Sequence, residues 1–186
     1  MSNLATADYD KLILNFSDLD SIVEKVTRFL YLPWYWQIFE HVLWFIGNIT
    51  SSKSSGSTRN KLIMNGVYRK ILDDMITLKG NLGEDHNSKK KCSSNFLIKN
   101  STWLFANMFK GDQIFELEIM DGLYKPTIKF LISLLNTNFN IDMQSEVIWS
   151  IYSFIINSKQ ELVGRIEWLF QNNKLEEVLI EGGFNA

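Results

Sequence analysis

The hydrophobic and polar positions along the chain repeat with a helical period. Apolar residues recur three or four positions apart in segment after segment, as in Ile22, Val26, Phe29 and Leu30, which is the spacing of one face of an α-helix. No segment alternates convincingly in the way that a half-buried strand does. The pattern therefore predicts an all-α fold, and only two prolines in 186 residues leave room for long helices.

Polar and glycine-containing stretches bound the predicted helices. Ser17-Asp18 or Asp20-Ser21 are expected to cap the second helix. Gly122 is expected to end a short helix, and Pro126 to lie in the first turn of the next one. We expect helices over about residues 9–15, 20–30, 33–50, 60–65, 67–78, 96–109, 113–120, 126–136 and 142–157, with two further amphipathic segments in 159–186.

Residues 80–95 interrupt this pattern. The stretch has few apolar positions and carries the run Lys89-Lys90-Lys91. Such a composition cannot bury enough apolar surface to offset the entropy lost on ordering. We therefore expect a flexible insert over residues 80–95.

A tryptophan followed four residues later by an asparagine occurs in two of the apolar helices, at Trp44-Asn48 and at Trp103-Asn107. A third helix keeps the tryptophan as Trp149. Residues four apart lie on one helix face, so each pair is expected to form a single patch. The indole is an apolar wall, and the amide both donates and accepts hydrogen bonds. Such a patch can hold a long side chain and the backbone of an extended peptide.

The spacing of the three tryptophans indicates an internal repeat. Trp44 and Trp103 are 59 residues apart, and Trp103 and Trp149 are 46 apart. Without the insert the first spacing falls to about 44, inside the range of about 40–47 residues for armadillo and HEAT repeats. We therefore predict one domain over 1–186, an armadillo-type right-handed superhelical solenoid of about three to four stacked repeats.

The repeat helices resemble those of the importin α (karyopherin α) family of armadillo proteins. Residues 40–49 are similar to the E-x-x-x-W-A-L-G-N-I-A helix of that family's third repeat, and residues 99–107 to R-N-L-T-W-T-L-S-N of the fourth. Residues 147–151 resemble the C-W-A-I of the fifth, and residues 122–126 fit the glycine-to-proline entry of a repeat. The resemblance covers about residues 20–157.

The resemblance implies a concave groove that binds a basic nuclear-localisation peptide in extended form. In that family tryptophans contact the aliphatic stems of Lys and Arg, asparagines bond the peptide backbone, and acidic residues meet the positive charges. It implies a partner with a Lys/Arg-rich segment, a role in nuclear protein import, and a location in cytoplasm and nucleus. By position, the implied peptide-binding residues are Trp44, Asn48, Trp103, Asn107, Trp149, Asp142 and Glu146.

Several positions depart from the family pattern. Ser52 stands where the family has an acidic residue, and Ser153 where the third Trp would have its Asn. The chain has no basic N-terminal segment of the kind that recruits importin β, so importin β binding is not expected. These departures keep an alternative open, in which the protein is an armadillo scaffold that holds one fixed partner in a larger complex without import activity.

Composition and charge exclude several other classes of function. The net charge of −2 provides no general attraction to nucleic acid or to acidic membranes. Only two histidines are present, and no Cys-His, Ser-His-Asp, metal-ligand or phosphate-loop spacing occurs. The apolar stretches are too short or too interrupted to span a bilayer. We therefore expect neither an enzyme nor a protein with a cofactor, a metal, a nucleic acid or a membrane partner.

Overall fold

The computed structural model describes residues 16–32, 36–51, 56–81, 88–108, 117–135 and 141–156. Within these ranges the chain forms seven α-helices and one 3₁₀ turn, and no strand. The prediction of an all-α fold is confirmed for this part of the chain. The chain divides into two compact units, Met1–Met108 and Phe109–Ala186.

Of the helices in the described ranges, five belong to the first unit and two to the second. The 3₁₀ turn Phe29–Tyr31 follows the first helix directly. The helices are α1 Phe16–Arg28, α2 Trp36–Ser51, α3 Gly56–Met64, α4 Val67–Asn81 and α5 Ser88–Met108, then α6 Leu117–Leu135 and α7 Ile141–Ile156.

The core of the first unit centres on α2, which packs most extensively against α5. It also contacts α1, the 3₁₀ turn and α3. Because neighbours surround it, α2 is apolar over most of its circumference. Its side chains Phe39, Leu43 and Ile46 are buried, as are Ile98 and Phe105 of α5. Each such burial contributes about 1.5–3 kcal/mol relative to exposure.

Gly66 turns the chain between α3 and α4. Its φ of 72° lies in the left-handed region that glycine adopts without strain. Its N–H donates to the carbonyl of Ile63 at 3.0 Å, which satisfies a carbonyl at the end of α3. The prediction that Gly66 separates two helices is confirmed.

Arg59 of α3 closes the C-terminal end of α2. Its side chain is fully buried, and Nη1 donates to the carbonyl oxygen of Thr50 at 2.7 Å. The last four carbonyls of a helix have no partner within the helix, so this contact satisfies one of them. Burial lowers the pKa of Arg59 from its ordinary value, because desolvation disfavours the charged form.

The structure differs from the prediction around residues 80–95. Helix α4 continues to Asn81 and α5 already begins at Ser88, so the loop prediction is wrong for residues 80–81 and 88–95. Lysine is a good helix former, which favours helix over the Lys89–Lys91 run. Ser94 and Leu97 are buried, so packing also holds residues that precede the apolar segment in the helix. Residues 82–87 lie outside the described residues.

The second unit is built on α6, which is continuous where two helices were predicted. Helix α6 contains both Gly122 and Pro126, so the predicted break at Gly122 is wrong. A proline inside a helix removes one hydrogen bond and crowds the carbonyl four residues earlier, which here belongs to Gly122. A glycine at that position lets the backbone adjust, and the burial of Leu131 and Leu134 holds the helix together.

Helix α7 packs against α6 and matches the helix predicted over 142–157 to within one residue at each end. Its Val147 and Ile151 are buried. The segments predicted as helical over 9–15 and in 159–186 lie outside the described residues. None of the described helices is long and apolar enough to cross a membrane.

Candidate peptide-binding site

Two of the three repeated tryptophans lie side by side in the first unit. The ring centroids of Trp44 and Trp103 are 5.9 Å apart, and the rings are tilted by 47°. Trp44 is 40% exposed and Trp103 is half-buried. Aromatic pairs at this distance attract each other beyond their area burial. The two indoles therefore form one aromatic surface, which we call the Trp44–Trp103 patch.

Gly47 allows Trp103 to approach the backbone of α2. A Cβ atom at Gly47 would lie 2.1 Å from Cζ3 and 2.7 Å from Cε3 of Trp103. Real Cβ atoms do not approach carbon atoms this closely, so the ring occupies space that only glycine leaves open. The Trp44–Trp103 patch thus depends on the residue type at position 47.

The contacts between α2 and α5 indicate that the two helices run in the same direction. Trp44 meets Trp103, an offset of 59 residues, and Gly47 meets Asn107, an offset of 60. A step toward the C-terminus of α2 is thus matched by a step toward the C-terminus of α5. In an antiparallel pair, the contacted residue of α5 would move toward its N-terminus instead.

The two asparagines of the pattern are in different situations. Asn107 is 1% exposed, and its Nδ2 donates to the carbonyl of Gly47 at 3.2 Å, while its Oδ1 has no hydrogen-bond partner. Asn48 is half-buried, and its Nδ2 has no hydrogen-bond partner. The donor of Asn107 therefore holds α5 against α2. One acceptor on Asn107 and one donor on Asn48 remain unpaired, and an extended peptide backbone offers the complement of each.

One carboxylate next to the Trp44–Trp103 patch was missed at the sequence level. Glu40 lies one helical turn before Trp44 on α2 and is half-buried. The four-residue spacing to Trp44 is the signal that could have identified it. Lys99, four residues before Trp103, places a positive charge on the α5 side. Ser52, the position of the acid missing from the family pattern, lies outside the described residues.

The third tryptophan lies on α7, in the second unit, where its neighbour is a tyrosine. Trp149 is 57% exposed and Tyr152 is 52% exposed. Their ring centroids are 5.6 Å apart with an interplanar angle of 33°. Ser153, at the position of the missing asparagine, is 6% exposed and so faces the core. Sequence reasoning missed Tyr152, although a spacing of three residues places it beside Trp149.

The predicted site residues therefore divide between the two units. Trp44, Trp103 and Asn107 come together in the first unit, with Asn48 next to Gly47 on α2. Asp142, Glu146 and Trp149 share α7 in the second unit. Asp142 is exposed and Glu146 is half-buried. Among the described residues, no group of three or more His, Cys, Asp or Glu side chains could hold a metal ion.

Comparisons of the chain with protein-family models, with curated proteins and with solved structures found no match.

Proposed function

We propose that this protein is an importin-α-like armadillo module that binds an extended, Lys/Arg-rich peptide of the nuclear-localisation type over the Trp44–Trp103 patch. The observation that carries the proposal is the pairing of the two indoles on neighbouring helices, with 40% of Trp44 left exposed. Contiguous exposed aromatic surface marks sites of interaction with other molecules.

The chemistry of the patch favours a cationic side chain. Lys and Arg carry aliphatic stems that pack against an apolar wall while the charged end stays near water. An indole face attracts a cation by about 0.5–1 kcal/mol at an exposed site. Glu40, one turn from Trp44, supplies a negative charge at the α2 side of the patch. The stem would therefore lie on the rings with its charged end toward Glu40.

The unpaired amide atoms favour a peptide over an isolated cation. A buried polar group without a partner costs about 1–3 kcal/mol. Asn48 has an unpaired donor and Asn107 an unpaired acceptor, which match a backbone C=O and a backbone N–H. Rotation of the Asn48 amide about its last side-chain bond would bring its donor toward a peptide, whereas Asn107 keeps its bond to Gly47. Binding would then recover part of the cost that the free protein bears.

A second candidate function is an armadillo scaffold that holds one permanent partner. The observation in its favour is that the fold itself uses two residues of the pattern. Asn107 is buried and bonded to Gly47, and Trp103 rests on the backbone of α2. Such a surface can be retained for stability after a peptide-binding role is lost. The partner would cover the Trp44–Trp103 patch without any requirement for Lys or Arg.

Titration of a fluorescently labelled Lys/Arg-rich peptide distinguishes the two functions. Truncation of a central aromatic contact typically costs about 2 kcal/mol or more, so Trp103→Ala should weaken binding roughly thirtyfold. Trp44→Ala should also weaken binding. Ile76→Ala on α4, which also removes an exposed apolar side chain, is the matched control and should leave the affinity unchanged.

A peptide in which citrulline replaces arginine keeps the shape and removes the charge. Under the peptide-binding proposal it should bind at least several-fold more weakly, because the cation–π and carboxylate attractions are lost. No binding of the parent peptide by folded wild-type protein at about 100 μM, which corresponds to about −5.5 kcal/mol, would overturn the proposal and leave the scaffold function.

A further inference from the structure

The turn between α3 and α4 contains the only asparagine of the chain that is followed by a glycine. Asn65 and Gly66 form this turn, after α3 ends at Met64 and before α4 begins at Val67. The side chain of Asn65 is exposed. Water therefore reaches its carboxamide.

Gly66 leaves space beside this carboxamide. Its φ is 72°, and no atom of the described residues lies within 4 Å of the position that a Cβ would take. A side chain on the residue after an asparagine hinders the approach of that residue's nitrogen to the asparagine Cγ, and glycine has no side chain. The nitrogen of Gly66 is therefore the least hindered backbone nucleophile that follows any asparagine of this chain.

We infer that Asn65 is a site of spontaneous deamidation through a cyclic succinimide. The nitrogen of Gly66 loses its proton to hydroxide, and its electron pair forms a bond to Cγ of Asn65. The bond between Cγ and Nδ2 then breaks, and its electron pair leaves with the nitrogen, which takes a proton from water and departs as ammonia. Water opens the ring at either carbonyl and gives aspartate or isoaspartate. The net reaction consumes water and releases ammonia, and it needs no oxidant, reductant or cofactor.

A backbone hydrogen bond controls the rate of this reaction in the folded protein. The N–H of Gly66 donates to the carbonyl of Ile63 at 3.0 Å, and the carbonyl of Gly66 accepts from the N–H of Lys70 at 2.9 Å. The nitrogen of Gly66 cannot attack while its proton is held in this bond, so the turn has to open first. Exposed turns open locally at a lower free-energy cost than the whole domain. Deamidation should therefore be slower in the folded protein than in the unfolded chain, but it should still occur.

The modification would weaken the turn that separates α3 from α4. The succinimide has no N–H for the carbonyl of Ile63, and isoaspartate adds a carbon atom to the backbone. Either product places a carboxylate at the C-terminal end of α3, where the helix dipole disfavours a negative charge. Helix α3 also carries Arg59, which donates to the carbonyl of Thr50 on α2. Deamidation would therefore act on the helix that closes the end of α2.

The test incubates the full folded chain at pH 8 and follows the tryptic peptide 62–69 by mass spectrometry. Cleavage after Lys61 and Arg69 releases this peptide, which contains no asparagine other than Asn65. Deamidation increases its mass by about one dalton, and chromatography separates the aspartate and isoaspartate forms. In guanidinium chloride, Asn65 should react at least about tenfold faster than Asn100, because the serine that follows Asn100 carries a Cβ.

Two variants separate the cyclic route from direct hydrolysis of the carboxamide. Gly66→Ala adds a Cβ and should slow the reaction about tenfold in guanidinium chloride, where strain at position 66 has no effect. Asn65→Gln keeps a carboxamide but would require a larger ring, so its peptide 62–69 should keep its mass over the same period. Because both comparisons are made in the unfolded chain, neither variant has to fold.

Isoaspartate that forms in the folded wild-type protein, more slowly than in guanidinium chloride, would support the inference. Aspartate without isoaspartate, or an equal rate in Gly66→Ala, would overturn it, because direct hydrolysis does not pass through the ring. An unmodified peptide 62–69 from the folded protein, over a period in which the unfolded chain reacts completely, would also overturn it. None of these outcomes depends on peptide binding at the Trp44–Trp103 patch.

Discussion

The indole ring of Trp103 occupies the space that a side chain at Gly47 would fill. The ring atom Cζ3 lies 2.1 Å from the position of a Cβ on Gly47. The Nδ2 of Asn107, one turn further along α5, donates to the carbonyl of the same glycine. One residue of α2 thus receives both a ring and a hydrogen bond from α5. The position of the Trp44–Trp103 patch depends on this contact.

Gly47→Ala should displace the Trp103 ring and weaken the packing of α2 on α5. Overpacking of this kind costs about 1–3 kcal/mol. Urea denaturation measures the change in the free energy of unfolding, and near-ultraviolet circular dichroism reports the altered arrangement of the two indoles.

Gly80→Ala on α4 is the matched control, since nothing lies within 4 Å of its Cβ position. It should be stabilising by about 0.5–1 kcal/mol, as alanine is the better helix former. Equal stabilities for the two variants would contradict the close contact at Gly47.

Asn107→Asp should destabilise the protein increasingly as the pH rises. The substitution replaces a buried donor by a carboxylate that faces the carbonyl of Gly47. Desolvation would raise the pKa of this carboxyl above its unfolded value of about 3.9. The loss of stability relative to wild type should be small below pH 4 and reach about 3–5 kcal/mol at pH 7, where an ionised carboxylate is buried unpaired.

Asn107→Leu is the comparison for this pH dependence, because it removes the hydrogen bond without adding a titratable group. Its loss of stability should not change between pH 4 and pH 7. Chemical denaturation at the two pH values measures both variants against wild type. Parallel pH profiles for the two variants would show that the side chain at position 107 is accessible to water.

Arg59→Met should destabilise the first unit by about 1–3 kcal/mol, because the Thr50 carbonyl loses its charged donor while methionine retains most of the apolar stem. Arg69→Met on α4 is the control. Its side chain is 53% exposed and pairs with Asp73 one turn away. An exposed pair at this spacing is worth about 0.3–0.5 kcal/mol. Thermal or urea unfolding of both variants tests the difference, and an equal effect would argue against a structural role for Arg59.

The ion pair between Lys70 and Asp74 should couple more strongly than that between Arg69 and Asp73. The first pair is 2.6 Å apart with side chains 29% and 17% exposed, and the second is 3.0 Å apart with side chains 53% and 51% exposed. Double-mutant cycles should give a coupling free energy near the upper end of about 0.2–1 kcal/mol for the first pair and near the lower end for the second. Added salt should reduce the second more, because exposed charges are screened. A larger coupling for the exposed pair would contradict the prediction.

The sequence by itself determined the helical class of the described residues, the position of several helices and the placement of the aromatic pattern. Helical periodicity identified α2, α4 and α7, because residues three and four apart share a face wherever a helix forms. Gly66 was identified as a helix boundary because a positive φ is a local property of the backbone. The repeated Trp-to-Asn spacing marked the residues of α2 and α5 that meet. Each of these features depends on residues within about one turn of each other.

Only the tertiary structure decided how those residues are used. Pro126 and Gly122 predict a break, yet burial of the apolar face of α6 keeps it continuous. The sequence pattern predicts an Asn107 amide that is available to a peptide, but the carbonyl of Gly47, 60 positions earlier, accepts its hydrogen bond. Tyr152 has no counterpart in the other copies and becomes a partner of Trp149 because Ser153 turns inward. Packing brings together residues that are distant in the chain. A periodic pattern predicts which face of each helix is buried, but it does not predict which neighbouring helix covers that face.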